Sequence, residues 1–376
     1  LAVSAKAKAM LAAGEPVISL AAGEPDLPTP SLVVEAAAQA LRDGATRYTP
    51  VKGIPALRQA IAVDGFRARG HRHDPEAEIL VTVGAKQALF NLFQAFLNDG
   101  DEVLLPLPSW VSYAPQVELA GGRAVSVAAS PEDGFFPSIE SLEAARSERS
   151  RALVWTSPSN PTGRVATPEQ VRAMAEWAAE HNILIISDEI YRRICFSDAP
   201  RCASPVEFAA PNQVVIIDGV SKSHCMTGWR IGWAMGPAPL IAAMTKIQSH
   251  QTSNPTTVSQ HAAVVALSEC DTHVDELTAS LELRRDAFCE RLGQIPGLSI
   301  LPPQGAFYVF VDLNAVLLPD EDDLVFCDAL LSDKAVAVVP GSAFGAPGWL
   351  RMSIALALED LMSAADRLQK FLENRT

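Results

Sequence analysis

The pair Ser221-Lys222 closes an apolar, β-branched run over residues 214–220, and Gly228-Trp229-Arg230 follows it. An amine at the end of a buried strand is partly withdrawn from water, which lowers its pKa and makes it a nucleophile toward a carbonyl carbon. Arg230 adds a fixed cation eight residues on. A single lysine after a strand is equally compatible with an ordinary surface position, so its chemistry depends on partners elsewhere.

Candidate partners stand at the ends of other apolar runs. Asp188-Glu189-Ile190-Tyr191 follows residues 183–187 and reads either as a helix cap or as a carboxylate delivered to a buried site. Ser157-Pro158-Ser159-Asn160-Pro161-Thr162-Gly163 follows residues 152–156, at the carboxyl end of a strand, where open α/β sheets gather their ligands. Residues 79–83 lead into Gly84-Ala85-Lys86, a strand, glycine and helix start whose free N–H groups and dipole suit an anion. A cation such as Lys86 is disfavoured there, and that local conflict favours a functional reason for it. Gly23, in a loop fixed by three prolines, serves a turn or a close approach of backbone to a ligand. Arg351 reads as a surface strand cation or as a planar clamp for a carboxylate. Trp110 and Tyr48 read most simply as packing aromatics.

The elements that must carry these residues follow from hydrophobic period and punctuation. Helices are expected over 2–13, over 31–41 with Ser31 as cap, up to Gly70, over 84–97, from Ser138, and over 168–180 capped by Thr167. Strands are expected over 17–20, 79–83, 101–107, 123–128, 152–156 and 183–187. This alternation indicates an α/β fold with a mainly parallel sheet and helices on both faces. After Lys222 the chain turns helical over 238–249, 256–268 and 272–292, the last helix crossing between two lobes. A β pattern returns over 302–310, 336–339 and 349–354, and a helix from Glu359 closes the chain.

At 376 residues the chain exceeds what one core usually organises. A hydrophobic fraction of 48% and mean hydropathy of +0.14 supply ample core material. A net charge of −14 and pI near 5.0, with scattered basic residues, argue against nucleic acid as a partner. No run approaches the roughly 20 apolar residues of a membrane span, and nothing at the amino end reads as a signal peptide. The expectation is a cytoplasmic protein. Cys195, Cys202, Cys225, Cys270, Cys289 and Cys327 form no C-x-x-C pair and suit reduced thiols. His71 and His73 lack a ligand cluster, so no metal is expected. The chain starts at Leu1 without methionine, and further residues are expected before it.

Seven separated segments together resemble the pyridoxal-phosphate (PLP) aminotransferases of fold type I, class I/II. The lysine segment matches their S-K-x-x-x-x-x-G-W-R-x-G, and A-G-E-P-D, Y-x-x-x-x-G-x-x-x-L-R, W-x-x-Y, N-P-T-G, D-E-x-Y and the carboxyl-terminal R-x-S follow in family order. The resemblance implies a seven-stranded sheet in a large domain, residues 46–275, and a smaller α+β domain built from both chain ends, 1–45 and 276–376. It implies Lys222 as Schiff-base partner and general base. Asp188 would face the pyridine nitrogen, Tyr191 and Asn160 the phenolic oxygen, and Trp110 the ring face. Gly84, Ala85, Ser221 and Arg230 would hold the phosphate with Tyr48 of a second subunit, making a homodimer with shared sites. Gly23, Asn160, Trp110 and Arg351 would meet the substrate, Arg351 on its α-carboxylate. The segment from Gly84 to Asn91 is similar to the G-G-K-Q-A-L-F-N of a subgroup of bacterial aspartate aminotransferases, whose lysine meets the distal carboxylate. That implies ping-pong transamination from L-aspartate to 2-oxoglutarate, with Lys86 near the distal carboxylate. Transamination of aromatic or other neutral amino acids, a PLP-dependent C–S lyase and a non-catalytic sensor of the same fold remain open.

Overall fold

Successive side chains of a strand point to opposite sides, so a strand apolar at every position must be covered on both faces. The computed structural model describes residues 2–375. Helix α1 (Ala2–Ala12) and the short strand β1 (Ile18–Ser19) lead into α2 (Ser31–Arg42) and α3 (Pro55–Arg69). Strands and helices then alternate through β2 (Ile79–Val83), α4 (Ala85–Phe96), β3 (Glu102–Pro106), α5 (Tyr113–Leu119) and β4 (Arg123–Val127). The alternation continues through α6 (Ile139–Ala145), β5 (Ser150–Thr156), α7 (Pro168–Glu180), β6 (Leu184–Asp188) and β7 (Val214–Gly219). After β8 (Ile231–Met235) come three helices, α8 (Ala238–Gln251), α9 (Thr257–Glu269) and α10 (Asp271–Gly293). The carboxyl-terminal part holds β9 (Ser299–Leu301), β10 (Tyr308–Asp312), α11 (Asp323–Lys334), β11 (Val336–Ala337), β12 (Val339–Pro340), β13 (Trp349–Ser353) and α12 (Leu358–Glu373).

Seven strands form one sheet in the order β2-β8-β7-β6-β5-β3-β4, parallel throughout except for β8, which runs antiparallel to both neighbours. The period of two sorts its residues between two cores. Ile79, Val81, Leu153, Trp155, Ile185 and Ile216 face one side, with α7 and α9. Leu80, Val154, Ile186 and Ile217 face the other, with α4 and α8. A third core joins Ile18 and Leu20 near the amino end to α10, β10, α11 and α12. There β12-β13-β10-β9 make an antiparallel sheet, and β1 pairs with β11. Helix α2 packs Val33 and Ala37 on the core of the seven-stranded sheet.

Three departures from the sequence reading have local causes. Ser31 is not the cap of α2: Pro30 occupies that position with no side-chain bond, and its carbonyl accepts from the amides of Val33 and Val34. The strand expected over 336–339 is two, because Val336 and Ala337 pair with β1 whereas Val339 and Pro340 pair with β13. Helix α11, unremarked in the sequence, starts where the Asp322 carboxylate accepts from the Val325 amide at 2.8 Å.

Candidate active site

The carboxyl ends of β5, β6 and β7 deliver Asn160, Asp188 and the Lys222 turn to one place, as parallel strands with short connections require. Lys222 donates from Nζ to the carbonyl of Gly23 at 2.5 Å. Burial lowers its pKa to about 8. Glu24 opposes that shift, and the cations Arg351 and Arg230 add to it. The loop bearing Gly23 is fastened to the same turn by three side chains. Thr227 donates to Glu24 at 2.9 Å, Thr29 to the carbonyl of Cys225 at 2.7 Å, and the Trp229 indole to Thr29 at 3.0 Å.

Asp188 is 4% exposed, and burial lifts its pKa to about 6. The Tyr113 hydroxyl donates to it at 2.6 Å and the Ile190 amide at 3.3 Å, which holds the shift down, whereas the nearby Asp218 and Glu189 push it up. The Trp110 ring packs edge-on against Tyr113, with centroids 5.3 Å apart. Lys86 is exposed and sets its ammonium 4.7 Å from the centroid of Trp110. Tyr191 shares a 2.9 Å hydrogen bond with Tyr308, and burial raises both phenols, so each stays protonated.

Arg351, on β13, is 6% exposed. It donates to Asn160 Oδ1 and to the carbonyl of Ala21, both at 3.0 Å, and lies 4.3 Å from the centroid of the Tyr308 ring. Its Nε has no partner among the described residues. A buried guanidinium with a donor left over, beside a lysine of lowered pKa, has the charge and geometry to receive a small carboxylate.

The anion cradle lies at the amino end of α4. Gly84 has φ of +75°, and a Cβ there would stand 2.6 Å from Nη2 of Arg230. A Cβ on Gly232 would overlap the Ala85 amide, so this glycine lets β8 press against the helix start. Ser221 is buried at the head of the Lys222 turn. Behind the turn, Arg193 lies 3.4 Å from Nε2 of His224. A guanidinium can only donate, so Nε2 accepts and the ring proton sits on Nδ1, facing Ser223 Oγ at 2.9 Å. Burial holds the pKa of His224 down to about 3.

The structure thus gathers Gly23, Gly84, Ala85, Trp110, Asn160, Asp188, Tyr191, Ser221, Lys222, Arg230 and Arg351 around one cleft, with Lys86 at its rim. Tyr48 stands apart: it is 90% exposed and makes no hydrogen bond among the described residues. Sequence reasoning assigned no role to Tyr113 or Tyr308. The tyrosine of W-x-x-Y was the available signal for the first, and one aromatic among three in the apolar run Phe307-Tyr308-Val309-Phe310 offers none for the second.

The family model for aminotransferase class I and II matches residues 15–368. The aspartate aminotransferase of Geobacillus stearothermophilus is 44% identical over 378 aligned residues, covering 100% of this chain and 96% of that protein. The aspartate/prephenate aminotransferase of Cereibacter sphaeroides is 42% identical, covering 99% and 95%. The solved structure of the aspartate aminotransferase from Thermus thermophilus with maleate superposes with a TM-score of 0.93 at 42% identity, covering 98% of this chain and 95% of that one. With the family model spanning most of the chain and relatives matching nearly all of it, the chain belongs to the class I and II aminotransferases.

Proposed function

We propose that this aminotransferase moves the amino group of L-aspartate to 2-oxoglutarate with pyridoxal phosphate as cofactor, in the cytoplasm and as a homodimer. The observation that carries the substrate class is Arg351, a buried guanidinium with an unpartnered Nε, fixed by Asn160 and Ala21 beside the Lys222 amine. Several relatives that are aspartate aminotransferases support aspartate as the donor.

The residues fit the cofactor. The Gly84 cradle, closed by Arg230 and the α4 amino end, suits a phosphate. Gly84, Ala85, Ser221 and Arg230 would hold that phosphate, Trp110 and Asp188 the ring, Asn160 and Tyr191 its phenolic oxygen, and Lys222 its aldehyde carbon. When bound, the cofactor supplies an electron sink for the charge left at the substrate Cα. The carboxylate of Asp188 would keep a proton on the ring nitrogen of the bound cofactor, and Tyr113 holds that carboxylate in place. Arg351 orients the substrate α-carboxylate, with the Gly23 backbone alongside. Lys222 Nζ, half neutral at its pKa of about 8 where an ordinary lysine would be almost wholly charged, accepts the Cα proton and carries it to its next position. Lys86 receives the distal carboxylate at the rim. We read the chain as two lobes dividing near residues 45 and 275, with α2 lying on the larger one.

The test is product formation from L-aspartate and 2-oxoglutarate. Glutamate and oxaloacetate are expected, whereas ammonia and pyruvate from a sulfur amino acid would mark a lyase. Lys86→Ala should weaken aspartate and glutamate by about 1–3 kcal/mol, one charge-assisted hydrogen bond, and leave alanine and phenylalanine nearly unchanged. A uniform loss would assign Lys86 to cofactor binding or to the fold.

A further inference from the structure

Beneath the cleft lies a cluster of charges that the reaction described above does not use. Arg69, the last residue of α3, has a side chain 1% exposed. Its guanidinium meets Glu189 Oε2 from Nε at 2.8 Å and from Nη2 at 2.7 Å, and Asp218 Oδ2 from Nη2 at 2.8 Å. Glu189 directly follows Asp188, and its other oxygen accepts from Ser187 at 2.9 Å and Ser204 at 2.6 Å. Asp218 lies on β7, four residues before Lys222, and its second oxygen accepts from the Gly219 amide at 2.8 Å. Arg192 joins the cluster through Asp218 at 3.4 Å and Asp64 at 2.8 Å, and Arg193 lies 3.9 Å from Asp64.

We propose that Arg69 is a positioning residue for the reaction: its guanidinium, clamped between Glu189 and Asp218, ties the strand end bearing Asp188 to the strand leading to Lys222 and neutralises the carboxylates beside both. The inference rests on the reading of Asp188 and Lys222 as the working groups.

Charge balance supports it. The four carboxylates Asp64, Glu189, Asp218 and Asp271 are matched by the four guanidinium groups of Arg67, Arg69, Arg192 and Arg193, with Arg67 and Arg193 each bridging Asp64 and Asp271. Removing Arg69 leaves one uncompensated negative charge beneath the site. A buried ion pair adds little net stability, because desolvation offsets much of the Coulombic gain. Its reach to neighbouring titratable groups is larger, since a like charge in a dry site disfavours ionisation. Asp188 is faced by Tyr113 from α5, by Glu189 and Tyr191 from its own turn, by Asp218 from β7 and by Lys222. Lys222 is faced by Glu24, Arg351, Arg230 and Asp188. An extra negative charge next to Asp188 favours its protonated form, and the same charge favours the cationic form of Lys222, so both titrations move up.

The experiment is a spectrophotometric pH titration of the cofactor-loaded protein, run with the pH profile of kcat/KM, for wild type, Arg69→Met, Asp218→Asn and the double variant. Arg69→Met should move the spectral midpoint and the acid limb up by about one pH unit. Asp218→Asn should move them down, and the double variant, with balance restored, should return to within a few tenths of wild type. If Arg69→Met does not fold, Asp218→Asn and the double variant still decide the matter. Midpoints that coincide in every variant that folds, or a double variant displaced from wild type as far as a single one, would overturn the inference. Failure of the underlying reading is distinguishable: Lys222→Ala would then leave the visible band of the wild type intact.

Discussion

Replacing Tyr113 with phenylalanine removes one hydroxyl from a buried site and tests how Asp188 is kept ionised. Asp188 has two hydrogen-bond donors among the described residues, Tyr113 at 2.6 Å and the Ile190 amide at 3.3 Å, and even with them burial lifts its pKa to about 6. A hydrogen bond to a charged acceptor contributes about 1.5–3 kcal/mol, which is about one to two pKa units. Without it Asp188 should titrate at about 7–8, so that at pH 7 its ionised fraction falls from about nine-tenths to between one half and one tenth. The rate of the half-reaction with aspartate, followed in single turnover from pH 6 to 9, should fall about two- to tenfold at pH 7. The deficit should close as the pH rises. The Thr156 hydroxyl, 2.9 Å from Tyr113, loses the same partner but does not titrate in this range and adds no pH dependence. A deficit equal at every pH, or none, would refute the role assigned to Tyr113.

Lys222→Ala should still take up cofactor through the phosphate cradle and Asp188 but lose its visible band and essentially all turnover; ordinary turnover would remove Lys222 from the mechanism. Tyr48→Phe should weaken cofactor retention several-fold while sedimentation still reports a dimer, and a fully active wild-type monomer would contradict the shared site. His73 and His224 are held neutral by burial, at about 4 and about 3 against an ordinary 6.5. Their contribution to stability is therefore complete above pH 6.5 and is lost as the pH falls from there toward about 4 for His73 and about 3 for His224, because the unfolded chain takes up the protons. Each should add a slope approaching 1.4 kcal/mol per pH unit, or about that, to urea unfolding free energies, and His224→Gln should flatten the curve; identical curves would count against the histidine.

What the chain discloses before folding depends on how far apart the partners lie. The ends of apolar runs mark Asn160, Asp188 and Lys222, because a parallel sheet brings strand ends together whatever the loops between them do. The helix over 168–180 is legible to the residue because its capping box is local, Thr167 accepting from the Gln170 amide at 3.2 Å. Strand partners are not local: nothing in Val336–Ala337 says that it pairs with β1, some three hundred residues earlier, while Val339 turns to β13. Tyr113 and Arg69 belong to this second class. The hydroxyl finds its carboxylate 75 residues away and the guanidinium its two partners 120 and 149 residues away. An arginine at a helix end reads in sequence as a solvated cation complementing the dipole; only the burial of its side chain between Glu189 and Asp218 turns it into a charge that must be matched. The groups to which the chemistry is assigned are therefore legible as motifs, whereas those proposed to set their proton affinities emerge from the packing. Substitutions at Tyr113 and Arg69 should accordingly move pH profiles, while substitutions at Lys222 should abolish the reaction at every pH.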